Sequence, residues 1–158
     1  MKVEFSGVKV SLKLRRFVKK AAVYTLEHLS QPHKKVLLSV SFIDKEEMKD
    51  LNNRTRNIDK VTDVLSYPNF SLKPFDLINE NDDLSFTGKN ILIGDMAICL
   101  EKAAEQAIEY GVTTEEEVVK LVIHSMLHLM GFDHIKDEDF AVMNQEEEKI
   151  ASKFYGKM

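Results

Sequence analysis

Apolar positions recur with two different periods along this chain, and the alternation of the two lays out its elements. Strand-like stretches run from Met1 to Phe5, from Val36 to Ile43, from Val61 to Tyr67 just before Pro68, and from Asn90 to Leu100. The last is apolar except where Gly94 and Asp95 interrupt it, and a charge inside a strand must be paired, solvated or functional. Over Leu12–Leu29 the spacing is helical instead: Leu14, Val18, Ala22, Leu26 and Leu29 line one face, while Lys13, Arg15, Arg16, Lys19 and Lys20 fill most of the rest. Asp44 with Glu47 three residues on forms a capping arrangement that opens a short helix through about Asn53. Arg54, Arg56 and Lys60 then fall in a polar loop.

Further along, Glu101–Tyr110 is helical and Gly111 closes it, while Thr113 with Glu116 caps the next helix. That helix is nearly continuous in apolar residues from Val118 to Met130, which predicts a buried central helix whose end opens at the active site. A last helix, about Asp137 to Phe154, carries an acidic face of the solvated kind. Pro68 to Lys89 has no sustained period and reads as a long loop, a lid or a mobile insertion. There are no repeats and no internal linker, so residues 1–158 are expected to form one domain.

Composition narrows the setting. A chain of 158 residues can bury a proper core without disulfides, and Cys99, its one cysteine, stands among apolar neighbours like a small buried hydrophobe in a reduced compartment. No apolar run has the length of a signal peptide core or a bilayer span, so a cytoplasmic protein without membrane contact is expected. The formal charge of −4 hides a polarity. Residues 1–60 hold 14 Lys/Arg against 7 Asp/Glu, and the remainder is strongly acidic, which makes the first third the candidate anion-binding part. A solvated face explains the basic helix over 12–29 at least as well as an RNA contact does.

The chemistry concentrates in His124-Ser-Met-Leu-His128-Leu-Met-Gly131-Phe-Asp133-His134. On a helix, His124 and His128 are an i, i+4 pair on one face. Gly131 can take the positive φ that ends the helix, so the chain can turn back and present His134 as a third ligand. Three neutral imidazoles with a fourth position left open describe a catalytic rather than a structural zinc site. The same histidine and glycine spacing occurs in zinc proteases, where a glutamate after the first histidine is the general base. Here that position is Ser125, so the metal cradle is whole and the peptidase base is missing. The other two histidines, His28 and His33, read as core histidines with satisfied hydrogen bonds.

Three separated motifs agree with one known pattern: the histidine stretch, Arg56-Asn-Ile-Asp59-Lys-Val-Thr62-Asp63-Val-Leu-Ser66-Tyr-Pro68, and Ile93-Gly94-Asp95-Met-Ala-Ile-Cys99. Together they resemble the YbeY family of metal-dependent endoribonucleases, in order through most of the chain. The family pattern usually has tyrosine where Phe132 stands and phenylalanine where Tyr67 stands, and proline is common where Val61 stands. The resemblance implies an α/β (α+β) fold, a small mixed four-stranded sheet packed beside a buried central helix that carries two metal-binding histidines. It also implies a zinc-type ion on His124, His128 and His134, and an arginine, Arg56, contacting RNA phosphate. The expected work is maturation of the small-subunit ribosomal RNA 3′ end in the cytoplasm, with small ribosomal subunit proteins and the Era GTPase as partners. On chemical grounds Arg56 would neutralise charge building on the phosphate, and His124 and its fellow ligands would place the metal beside it. For the proton acceptor, Asp133 and Asp59 are candidates, with Asp133 equally suited to orienting an imidazole. Arg54, Lys60, Arg15 and Arg16 are the further candidate RNA contacts. Two rivals stay open: a ribosome-assembly factor that uses its metal for stability alone, and a cytosolic metallopeptidase with some other base.

Overall fold

A computed structural model describes residues 1–78 and 90–156. Its strands are β1 (Lys2–Gly7), β2 (Val36–Ile43), β3 (Val64–Pro68) and β4 (Ile91–Cys99). Its helices are α1 (Leu12–His28), α2 (Lys45–Arg56), α3 (Leu100–Tyr110), α4 (Thr114–Leu129) and α5 (Asp137–Gly156). The sheet has the order β1-β2-β4-β3, with β1, β2 and β4 parallel and β3 antiparallel to β4. The expected mixed α/β architecture is therefore present. Among the described residues no helix is long and apolar enough to cross a membrane.

Alternation in β2 sends Val36, Leu38, Val40 and Phe42 to one face of the sheet, where α1 and α4 cover them. Helix α4 is apolar almost all round because it is enclosed almost all round, packing on α1, α3, α5, β3 and β4. The opposite face is covered more thinly, Met48 of α2 packing against Leu65, Ala97 and Cys99. Cys99 is fully buried there, and burial pushes its thiol up, as an inert hydrophobe requires.

The interruption of β4 has a geometric explanation. Its register against β2 jumps between Leu37, opposite Leu92, and Leu38, opposite Gly94, so Ile93 is an extra residue. The bulge flips the parity of the strand: Ile91 and Ile93 face the main core before it, Met96 and Ile98 after it. Asp95 thereby leaves the core and lies on the other face, half-buried, with Tyr67 and Ser39 as its strand neighbours.

Two boundaries differ from expectation by three residues, more than any other. Helix α2 does not stop near Asn53 but runs to Arg56, where Asn57 adopts a left-handed φ of 59° and its N–H closes the last turn. Asparagine tolerates that conformation as few residues do, so the helix ends at the next residue that can end it. Arg54 and Arg56 are consequently helical, not parts of a loop. Strand β3 begins at Val64 rather than Val61, because the Asp63 carboxylate accepts from the Val64 N–H at 2.7 Å and turns the chain first. The stretch after Pro68 is mostly exposed as far as it is described and is anchored by a few contacts. Gln31 accepts from the Ile78 N–H at 2.9 Å and donates to the Asp76 carbonyl at 2.6 Å, while Phe75 lies edge-on to Phe132. The rest of the expected lid, residues 79–89, lies outside the described residues.

Candidate metal centre

Helix α4 presents His124 and His128 on one stripe, and its C-terminus delivers the third histidine. Past Met130, Gly131 has φ +94°; its N–H donates to the His128 carbonyl at 3.1 Å and the Phe132 N–H to the Leu127 carbonyl at 2.9 Å. This paired closure is a Schellman motif, with Phe132 and Leu127 both buried as its apolar contact. The reversal carries Asp133 and His134 back beside the helix. One ligand atom from each of His124, His128 and His134 lies within 4.8 Å of the others.

These nitrogens suit one tetrahedral ion. Imidazole ligands about 2.0–2.1 Å from a zinc would stand about 3.3 Å apart. The Nε2 atoms of His124 and His128 are 3.1 Å apart. Their other nitrogens face outward to acceptors: His124 Nδ1 to the Glu147 carboxylate of α5, and His128 Nδ1 to the Phe132 carbonyl at 3.0 Å. An acceptor on Nδ1 holds the proton there and leaves the Nε2 lone pair pointing inward, as a ligand needs. Burial, and then the neighbouring His124, lower the pKa of His128, which favours the neutral form that coordinates metal.

The triad opens into a cavity of about 1000 Å³. Arg56 and Lys60 are on its wall, as are Ser66, Asp133 and Glu147. Arg56 donates through Nη2 to the Ser66 carbonyl at 2.7 Å and lies 5.6 Å from the centre of the Tyr67 ring. Tyr67 is itself fixed by a 2.7 Å bond between its hydroxyl and Thr55. The guanidinium is thus held at the rim by β3 although its side chain is exposed. Ser125, where a protease has its glutamate, is fully buried and shares a 2.6 Å hydroxyl–hydroxyl bond with Ser66.

The remaining expected site residues are dispersed. Asp133 lines the cavity, but its carboxylate accepts from the backbone N–H of His134 at 2.7 Å rather than from an imidazole. Asp59 is outside the lining and stands 3.9 Å from Lys49, and Arg54 is turned to Asp50 at 2.9 Å. Arg15 and Arg16 belong to α1 and do not reach the cavity; Arg15 lies 5.4 Å from the Phe5 ring centre. His28 bonds to the buried Glu146, whereas His33 is a half-buried partner of Glu27 at 3.4 Å. Helix α5 is therefore more than a solvated acidic face: Glu146 secures it to α1 and Glu147 secures it to a candidate metal ligand. In the sequence both glutamates sit in Glu146-Glu147-Glu148, where nothing distinguishes them from surface charge.

A mixed α/β sheet, an enclosed helix ending in a three-histidine cluster and a solvent-open cavity around it define the class, an α/β protein with a metal-capable polar cleft. Its family is specific: the chain belongs to the endoribonuclease YbeY family, whose profile matches residues 2–155. A protein of Clostridium botulinum (strain Eklund 17B / Type B) named Endoribonuclease YbeY is 44% identical over 119 residues, covering 72% of each chain. Another of that name, from Caldanaerobacter subterraneus subsp. tengcongensis, is 43% identical over 150 residues, covering 94% of this chain and 89% of its own. The solution structure of a Thermotoga maritima protein shares the fold with a TM-score of 0.64 at 24% identity, covering 98% of this chain and 90% of that one.

Proposed function

We propose that this protein is a metal-dependent endoribonuclease that cuts single-stranded ribosomal RNA, with maturation of the small-subunit RNA 3′ end in the cytoplasm as its task. The observation that carries the reading is the placement of the three imidazoles and Arg56 on the wall of one open cavity. Family membership supports an RNA substrate. Small ribosomal subunit proteins and the Era GTPase are the partners this reading brings with it.

The division of labour follows from the donors. His124, His128 and His134 would hold one divalent ion, zinc in the first instance. When bound there it would supply Lewis acidity toward a phosphoryl oxygen and acidify a water toward neutral pH. Glu147 would keep the His124 proton on Nδ1, and Arg56 would neutralise charge that builds on the phosphate. Asp133, exposed on the cavity wall, is the nearest candidate to accept a proton. Asp59, outside that wall, is the weaker one. Ser125 is committed to Ser66, which leaves the peptidase alternative without a base at that position.

Cleavage of an end-labelled small-subunit RNA 3′ fragment by zinc-loaded protein tests this, with metal content measured in every preparation. Wild type is expected to cut, His128→Ala to lose metal and activity together, and Arg56→Ala to keep its metal while kcat falls by roughly 10²–10³-fold, the usual loss for one preorganised donor. Equal cutting by all three would trace the activity to a contaminant. Metal-loaded wild type that leaves RNA intact would instead favour the assembly-factor reading.

A further inference from the structure

The stripe that carries His124 and His128 continues one turn toward the start of α4, where Lys120 stands. Lys120, His124 and His128 all line the cavity, and so does Tyr110 from the end of α3. The ammonium has carboxylates at favourable spacing on its own helix, Glu116 four residues before it and Glu117 three before it. It takes neither. Glu117 is 2% exposed and accepts instead from Gln106 Nε2 at 3.0 Å, an amide that also donates to Asp63 at 3.1 Å. Lys120 Nζ lies 4.7 Å from the centre of the Tyr110 ring and makes no ion pair among the described residues.

Tyr110 is 57% exposed although it is a large aromatic at a helix end, next to the left-handed Gly111. An exposed ring with a cation beside it, set in the wall of the cavity that holds the triad, offers both things a nucleotide needs. The ring can stack on a base whatever its identity, and the ammonium can meet a phosphate. Four residues along a helix rise about 6 Å, which puts Lys120 on the scale of one nucleotide step from the metal ligands.

We propose that Lys120 and Tyr110 form a subsite for the nucleotide adjoining the scissile phosphate of single-stranded RNA. Lys120 binds its phosphate and Tyr110 stacks on its base. Asp63, Gln106 and Glu117, hydrogen-bonded to one another in the same cavity lining, offer no cation to a further phosphate, so the strand passes along the α4 stripe. The subsite rests on the endoribonuclease reading above and adds to it the position of a flanking nucleotide.

Its test is the binding of a fluorescent single-stranded oligoribonucleotide to zinc-loaded protein, followed by anisotropy across a salt series. Lys120→Ala is expected to weaken binding several-fold and to reduce the slope of log affinity against log salt by about 0.7, the share of one phosphate contact on a single strand. Tyr110→Leu should weaken binding about tenfold with its salt slope intact, and Tyr110→Phe should retain wild-type affinity. Lys102→Ala, on the α3 surface outside the cavity, is the control and should match wild type. If wild type binds and cuts RNA while Lys120→Ala and Tyr110→Leu keep its affinity and slope, the subsite is wrong and the endoribonuclease reading stands. If zinc-loaded wild type neither binds nor cuts, both fall. A tenfold loss in Tyr110→Phe as well as Tyr110→Leu would also overturn it, because stacking needs the ring and not the hydroxyl.

Discussion

Glu147 supports the candidate metal centre without being one of its three candidate ligands. Its carboxylate meets His124 Nδ1 from another helix, a placement that fixes both the tautomer and the tilt of the ring. Replacing Glu147 with Gln is expected to weaken zinc binding by about 10–100-fold, read by competition with a chromophoric chelator. The metal-free thermal melt should shift far less, since Glu147 is half-buried and not part of the apolar core. An unchanged zinc affinity would remove Glu147 from the site. Ser125 illustrates the opposite case, a residue whose neighbourhood in sequence suggests chemistry but whose side chain is spent on packing. Its hydroxyl bonds to Ser66 inside the α4–β3 contact, where there is space for a small side chain and no carboxylate.

Among the elements, the end of α4 is tightly constrained. A Cβ on Gly131 would stand 2.3 Å from the Leu72 carbonyl oxygen, on a backbone already at φ +94°. Gly131→Ala must therefore shift the turn, the loop against it, or both. We expect a loss of about 1–3 kcal/mol from the backbone conformation alone, seen as a lower Tm, together with weaker zinc binding because His134 rides on the same turn. A variant with unchanged Tm and unchanged zinc affinity would show that the turn does not position His134. Local signals predicted this element well. The Thr113 cap with the Glu116 N–H at 3.1 Å, the apolar run and the terminating glycine are all near one another in sequence and report on one another. The same holds for the Asp44 cap of α2 and for β2, whose bounds are as expected. Where local signals misled, a nearby alternative was available to the chain. Asn57 ends α2 a turn later than expected, and Asp63 delays β3 by capping its own backbone.

At the scale of the molecule, the triad sits at the edge of a core that closes without it. His124 and His128 are half-buried and His134 is exposed, whereas α1, α4 and the sheet share a continuous set of buried residues. Removal of metal with a chelator is therefore expected to leave far-UV circular dichroism unchanged. Stability should fall only by the linkage contribution, about 2.7 kcal/mol when zinc had been at a hundredfold excess over Kd, read as a modestly lower Tm. A chain that unfolds on chelation would behave as structural zinc domains do and would support the assembly-factor reading. The charge polarity also resolves only at this scale. Of the basic first third, Arg56 and Lys60 reach the cavity. Lys13, Arg15 and Lys20 of α1 lie over the aromatic rings of Phe17, Phe5, and Tyr24 with Phe154, away from it.

The sequence by itself determined the helices and strands, the bulk of the core and the three candidate ligands. Each depends on residues within a turn or two of one another, or on a period the chain displays directly. His124, His128, Gly131 and His134 form one such local unit. The tertiary structure alone decided what surrounds them. Glu147 meets His124 because α5 docks on α4, Tyr110 meets Lys120 because α3 ends beside it, and Asp95 avoids the core because one extra residue in β4 reverses the strand's parity. None of these has a signature in the chain, since an acidic run, an exposed tyrosine and a charged strand residue read alike wherever they point. Their meaning comes from which distant element arrives opposite them, and that is settled by burial of the whole core.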